Sequence, residues 1–218
     1  MNYSEKAIVF DLDGVLVDSA ICHFKAWKML ADRLGVSFDE RKNDQLRGVS
    51  RKESLLIMLD GQVNPSEEEM EKFMEDKNEF YKKLVNESGD ALLLPGVKPF
   101  LKELKAKGFK LAVASSSKNT PALMKQAGLD DGFFDAVAHG GHITNTKPDP
   151  EVFLLAAEQV GIAPADCLVV EDALAGVDGA KAAKMGVWGV GPAELGACDI
   201  RTDSIEKTDL QTVIDFFK

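Results

Sequence analysis

The chain has 218 residues, 45% of them hydrophobic, enough for one sizeable core with a small second domain inserted. Its formal net charge of −10 disfavours nucleic acid and anionic membranes as partners, since both want basic patches, but leaves an anionic small molecule open. Three scattered cysteines, Cys22, Cys167 and Cys198, argue against a disulfide framework and fit a reducing compartment.

The first residues lead straight into an apolar run, so no signal peptide is expected. No apolar run is long enough to span a membrane, so a cytoplasmic location is expected. Ala7-Ile8-Val9-Phe10 reads as a buried strand that opens into Asp11-Leu12-Asp13-Gly14. Like charges this close repel, and a protein that keeps such a pair gives it a cation, a shared proton or two different chemical jobs. An EF-hand is rejected, because its glycine belongs at the sixth loop position and Gly14 is the fourth.

From about Ser19 to Ser88 the pattern is helical, heavily charged and without a convincing strand. His23, Trp27, Leu30 and Leu34 line one stripe, and Phe73, Lys77, Phe80, Tyr81 and Leu84 another. Ser66 with Glu69 three residues later predicts a capping box. After about Leu92, short strands alternate with helices. Lys110–Ala114, Ala136–Ala138, Cys167–Val170 and Val187–Val190 read as strands. Val97–Lys107, Asn119–Ala127, Pro150–Val160 and Leu174–Lys184 read as helices, with Gly108, Gly128, Gly161 and Gly186 where each should stop. Gly189-Val190-Gly191 does not fit a dinucleotide fingerprint, and His139 and His142 read as loop residues.

This alternation predicts an α/β fold: a doubly wound parallel sheet, Rossmann-like, from residues 1–17 and 91–218, with a helical cap domain inserted at 18–90. A helical insert directly after the first strand could sit over the carboxyl ends of the strands, where open α/β sheets place ligands.

Four chemistry-bearing clusters fall at those ends: Asp11 with Asp13, Ser115-Ser116-Ser117, Lys147 before Pro148, and Glu171-Asp172. The carboxylates suit Mg²⁺, which takes one or two of them together with substrate phosphate. The Ser115 hydroxyl, the serine-loop N–H groups and Lys147 supply donors for a phosphate. A carboxylate can attack phosphorus while a second moves the proton, and Asp11, nearest the rigid strand, is the economical nucleophile with Asp13 as acid/base. Taken singly, each cluster has a plainer reading as a turn, a helix cap, a solvated lysine or a polar helix start; their convergence favours chemistry.

In this order the four clusters resemble the motifs of the haloacid dehalogenase-like superfamily over essentially the whole chain. The resemblance implies phosphorylation of Asp11, acid/base action by Asp13 and Mg²⁺ binding by Asp11, Asp13, Glu171 and Asp172. Closer resemblance is to the β-phosphoglucomutase family, carried by His23-Phe24-Lys25-Ala26-Trp27, by Leu46–Ser54, by Ala114–Asn119 and by Gly189-Val190-Gly191 with Leu195 and Asp199. It implies that Arg51 binds the distal phosphate of a sugar with help from Lys118 and Asn119, that His23 orients Asp13, and that Ser54, Lys77, Ser116 and Trp27 contact substrate. Gly48 and Val49 would form a cap loop over the site. By periodicity alone, Trp27 and the Phe73/Phe80 stripe read as cap core. The pattern departs at Arg47, Ser19, Ala173 and the segment Gly140–Asn145.

The expected activity is Mg²⁺-dependent interconversion of β-glucose 1-phosphate and glucose 6-phosphate through an aspartyl phosphate and a sugar bisphosphate. The partner is a small sugar phosphate, and a monomer is the expected state. A sugar-phosphate phosphatase on the same core is the alternative, and a non-catalytic sugar-phosphate sensor a remote one.

Overall fold

Four apolar residues, Ala7–Phe10, form the central strand β1, and all four are buried. A strand covered on both faces needs no polar alternation, so a short continuous apolar run suffices. β1 pairs in parallel with β2 (Lys110–Ser115) on one side and β4 (Cys167–Glu171) on the other. Strand β3 (Ala136–His139) lies beyond β2, while β5 (Gly186–Val190) and β6 (Ile200–Thr202) extend the sheet past β4. The order β3-β2-β1-β4-β5-β6 is that of a doubly wound α/β sheet, and its winding reverses between β1 and β4.

The computed structural model describes residues 2–46 and 50–218, in two compact units: Met1–Asp18 with Asp90–Lys218, and Ser19–Gly89. Gly48 and Val49, expected in a substrate loop, lie outside the described residues.

The first unit holds the sheet with α5 (Val97–Ala106), α6 (Thr120–Gln126), α7 (Glu151–Val160), α8 (Leu174–Ala182) and α9 (Leu210–Phe216). Val152, Phe153, Ala156 and Ala157 of α7, with Val177 and Ala180 of α8, pack against Val9, Ala112 and Val169 of the sheet. Where the chain leaves and re-enters this unit, the Asp18 N–H donates to the Leu92 carbonyl at 2.8 Å and the Leu94 N–H to the Leu16 carbonyl at 3.0 Å.

The second unit is helical: α1 (Ala20–Leu34), α2 (Glu40–Asp44), α3 (Arg51–Leu59) and α4 (Glu67–Ser88). Its core gathers Trp27, Leu30 and Ala31 of α1 with Leu55, Met58 and Leu59 of α3, which recur at helical spacing. Ser66 and Glu69 form the expected capping box at the start of α4. No helix among the described residues is long and apolar enough to cross a membrane.

The structure corrects the sequence reading at three places. Gly186 does not stop a helix; it opens β5, where a Cβ would overlap the Phe216 ring, and α8 ends at Ala182, four residues before it. His139 closes β3 instead of lying in a loop, with its ring centroid 3.9 Å from that of His142. Strand β6 and helix α9 went unread, because Ile200-Arg201-Thr202 is too short to show a period. β6 is held by tertiary contacts, among them the Trp188 Nε1–H donating to Thr202 Oγ1 at 2.8 Å.

Candidate active site

The parallel register brings the acidic residues together. Phe10 pairs with Val170, and the Asp11 N–H continues the ladder onto the Val170 carbonyl at 2.9 Å, so Asp11 stands level with Glu171. Asp11, Glu171 and Asp172 offer carboxylate oxygens that all lie within 4.8 Å of one another. They occupy the carboxyl end of the sheet at the β1/β4 reversal, where sheets of this type open a crevice.

Lys147 enters this cluster with its three N–H donors matched to three acceptors. It donates to Asp11 Oδ1, to Glu171 Oε1 at 2.5 Å and to the Ala114 carbonyl at 3.0 Å, and the Phe153 ring centroid lies 4.8 Å from the ammonium. The Lys147 and Asp11 side chains are only 10% and 12% exposed, and Glu171 1%. Burial works against the lysine's charge, but Asp11 and Glu171 outweigh it and raise its pKa. Burial also raises Glu171, with the charges of Asp11 and Asp172 adding to it against the pull of Lys147. Asp172 is pushed up to about 7 by burial and then by the charge of Asp11. Removing one partner of such a buried pair typically costs about 3–5 kcal/mol, because the other charge is left uncompensated.

One ammonium does not neutralise three carboxylates. Without a further cation, the excess charge is relieved by holding protons on the acids, which is the direction both Glu171 and Asp172 take. An all-oxygen donor set of this kind fits a hard divalent cation, which would take the place of those protons.

Two glycines make room for the carboxylates. The turn after Asp11 closes with the Gly14 N–H on the Val17 carbonyl at 2.7 Å, and Asp13 lies partly buried within it. Gly14 has φ of +89°, and a Cβ there would overlap the Asp172 carboxylate. On α8, a Cβ at Gly176 would overlap the Glu171 carboxylate. The Glu171 group cannot retreat cheaply, since Oε2 also accepts the N–H groups of Asp172 at 3.1 Å and Ala173 at 3.3 Å.

The serine loop is organised by its own hydroxyls. Ser115 Oγ accepts the Ser117 N–H, and Ser117 Oγ the Asn119 N–H, each at 3.1 Å. Ser115, buried at the end of β2, therefore uses a lone pair for the loop and can turn its O–H toward a phosphate oxygen. Ser116 Oγ accepts the Lys147 N–H at 3.4 Å, which ties this loop to the one carrying the lysine. Lys118 is exposed on the same loop and Asn119 precedes α6.

The remaining expected residues lie in the helical unit. The Lys77 ammonium is buried, 2.8 Å from His23 Nδ1, and lies 4.9 and 5.0 Å from the ring centroids of Trp27 and Tyr81. Burial, reinforced by the charges of Lys77 and Arg51, holds the His23 pKa well below the usual imidazole value. Arg51 opens α3 and donates to Asn78 Oδ1 at 3.1 Å; Ser54, one turn on, is buried. Trp27 sits in the hydrophobic core of this unit, only 4% exposed.

The structure thus brings Asp11, Ser115, Ser116, Lys147, Glu171 and Asp172 into one connected set and groups His23, Trp27 and Lys77 in another. Sequence reasoning missed the Ala114 carbonyl, the Phe153 ring and Gly176. Only Gly176 left a signal: a glycine inside a helical pattern often marks a close approach.

A family model for haloacid dehalogenase-like hydrolases matches residues 5–184. The β-phosphoglucomutase of Bacillus subtilis is 39% identical over 197 residues, covering 88% of this chain and 87% of its own. The phosphorylated carbohydrates phosphatase of Thermotoga maritima is 34% identical over 181 residues, covering 82% and 81%. The crystal structure of β-phosphoglucomutase from Clostridium difficile superposes with a TM-score of 0.87 at 35% identity, over 97% of this chain and 96% of that one.

Two outcomes follow from the geometry. Alanine is preferred over glycine in a helix by about 1 kcal/mol, so propensity alone would make Gly176→Ala stabilising. Overlap with the Glu171 carboxylate reverses the sign, and a net loss of about 1–3 kcal/mol is expected in chemical denaturation; an unchanged or raised midpoint would show that Glu171 has another seat. His23 is held neutral in the fold, so the unfolded chain binds the proton first as pH drops below about 6.5. Stability present above that pH is lost as pH falls toward the depressed folded-state value. The unfolding midpoint should decline between about pH 7 and 5, with a shallower decline in His23→Gln; equal slopes in both proteins would contradict this.

Proposed function

We propose that this chain, which belongs to the haloacid dehalogenase-like hydrolase family, interconverts β-glucose 1-phosphate and glucose 6-phosphate by way of phosphorylated Asp11 and a glucose bisphosphate. The observation that carries phosphoryl transfer is the Lys147 ammonium held between Asp11 and Glu171 where β1 and β4 end. It keeps a carboxylate oxygen oriented and places positive charge where phosphate oxygens would collect it.

In the forward direction the sugar 6-hydroxyl oxygen attacks the phosphorus on Asp11. The Asp11–phosphorus bond breaks, and Asp13 takes the hydroxyl proton. The bisphosphate then rebinds with its other phosphate at Asp11. An Asp11 oxygen attacks that phosphorus, the bond to the sugar O1 breaks, and Asp13 returns the proton to O1. Ser115 donates its O–H to the transferring phosphate, with Ser116 on the same loop beside the substrate. Mg²⁺ fits the donor set and would be held by Asp11, Asp13, Glu171 and Asp172; when bound, it neutralises charge on the phosphate oxygens.

The mutase step needs a second phosphate site and exclusion of water, which would otherwise hydrolyse the phosphorylated Asp11. Arg51, with Lys118 and Asn119, is proposed for the distal phosphate. His23 is proposed to orient Asp13, and Ser54, Lys77 and Trp27 to meet substrate, together with Gly48 and Val49 outside the described residues. The 39%-identical relative named β-phosphoglucomutase supports this reading. The 34%-identical relative named for a phosphatase supports a second one, hydrolysis of a sugar phosphate on the same core.

A direct assay separates them. Given Mg²⁺ and a trace of glucose 1,6-bisphosphate, β-glucose 1-phosphate should yield glucose 6-phosphate with little inorganic phosphate. Steady phosphate release without isomerisation would make the protein a phosphatase. Losing the charged hydrogen bonds of Arg51 should cost Arg51→Ala roughly ten- to a hundredfold in isomerisation while sparing hydrolysis of a small aryl phosphate; equal losses would count against the distal-phosphate role. Asp11→Asn should abolish both activities, and retained turnover would remove Asp11 as nucleophile.

A further inference from the structure

Lys147 reaches its partners from a loop, since residues 140–150 contain neither helix nor strand. A loop is a soft mount for a group whose placement matters to about an ångström. Contacts to the serine loop steady its two ends. The Gly140 N–H donates to the Ser117 carbonyl at 3.2 Å, and the Lys147 N–H to Ser116 Oγ at 3.4 Å.

The middle is held from the other side by Glu151, the first residue of α7. Its carboxylate turns back over the loop. The Thr144 N–H lies 2.9 Å from Oε1 and 3.1 Å from Oε2, and the Asn145 N–H lies 2.7 Å from Oε2. The Glu151 N–H in turn donates to Asp149 Oδ1 at 2.9 Å. The two loop N–H groups hold the Glu151 carboxyl below the usual carboxylate range, so it is an ionised double acceptor at neutral pH. Behind it, α7 is anchored in the core by Val152, Phe153, Ala156 and Ala157, and Phe153 itself lies against the Lys147 ammonium.

Only backbone donors of Thr144 and Asn145 enter these bonds. At these two positions the loop is held through its backbone, whichever side chains Thr144 and Asn145 carry, while the Ile143 side chain packs against the hydrophobic core.

We propose that Glu151 is a positioning residue for phosphoryl transfer: it ties the loop that carries Lys147 to the rigid start of α7 and so sets the ammonium between Asp11 and Glu171. The proposal rests on the phosphoryl-transfer reading of the site and deepens it. A carboxylate that merely capped a loop would matter to stability alone. One that positions Lys147 would matter to the turnover rate of fully folded enzyme, because the lysine's charge counts most when charge spreads over the transferring phosphate.

The test uses the full chain with Mg²⁺ and a small aryl phosphate. Activity is measured well below the unfolding midpoint of each variant, with circular dichroism to establish folding. Glu151→Ala should lose roughly ten- to a hundredfold in kcat, with a much smaller change in KM. Glu151→Gln keeps one acceptor oxygen and should recover part of that loss. Folded Glu151→Ala with wild-type kcat overturns the proposal, as does a loss confined to KM. If the alanine variant does not fold, the glutamine variant decides alone: reduced kcat in folded protein supports positioning, and wild-type kcat refutes it. A wild-type protein that turns over neither aryl phosphate nor any sugar phosphate defeats the phosphoryl-transfer reading itself, an outcome distinct from active wild type with unaffected variants.

Discussion

A single buried ammonium, that of Lys147, stands among more negative charge than it can neutralise. Asp11, Glu171 and Asp172 crowd within a few ångströms because the register of β1 against β4 leaves them nowhere else to go. Such a cluster would ordinarily push itself apart. Here the repulsion is borne by strands buried on both faces, whose backbone hydrogen bonds and apolar packing resist separation far more than exposed loops would. The residual charge imbalance is the site's chemical potential. It favours a cation, and a cation in turn makes the place hospitable to phosphate.

The surroundings are built to let those charges approach. Gly14 and Gly176 are absent side chains in the literal sense, since a methyl group at either would occupy the volume of a carboxylate. Hydroxyls of the serine loop satisfy their own backbone, so that Ser115 keeps its proton for another acceptor. The lysine itself comes from irregular chain, fastened to the serine loop at its ends and to α7 through Glu151. Rigid strand ends therefore carry the carboxylates, and a braced loop carries the ammonium.

The helical unit contributes a different kind of site. Lys77 is buried against His23 and two aromatic rings, where a charge is tolerated through ring quadrupoles and a neutral imidazole. This arrangement places the ammonium inside the unit, between the buried rings of Trp27 and Tyr81. In the proposed reading, the core decides that phosphoryl groups move, and the cations of the helical unit, Arg51 foremost, bias them toward a sugar hydroxyl and away from water.

Much of this was legible in the sequence, for local reasons. An apolar quartet followed by Asp11-Leu12-Asp13-Gly14 announces a strand end with two carboxylates. Alternating strand and helix patterns announce a parallel sheet, which points Asp11, Ser115 and Glu171 the same way. Lys147 was identified because it precedes a proline just ahead of a helical pattern. What escaped depends on residues distant in sequence. β6 has too few residues for a period and exists through its pairing with β5. Gly186 looked like a helix stop, yet it is required by a ring thirty residues later, at Phe216. Glu151 lies inside the helical pattern Pro150–Val160 with no sequence mark of its own, and only the folded chain lays two N–H groups on it. By itself, the sequence determined which groups are present and which end of the sheet they share, because side-chain alternation and chain order are local properties. Tertiary structure alone decided that one ammonium bridges two particular carboxylates and that particular glycines and one glutamate hold it there, because those are matters of distance between segments the sequence keeps far apart.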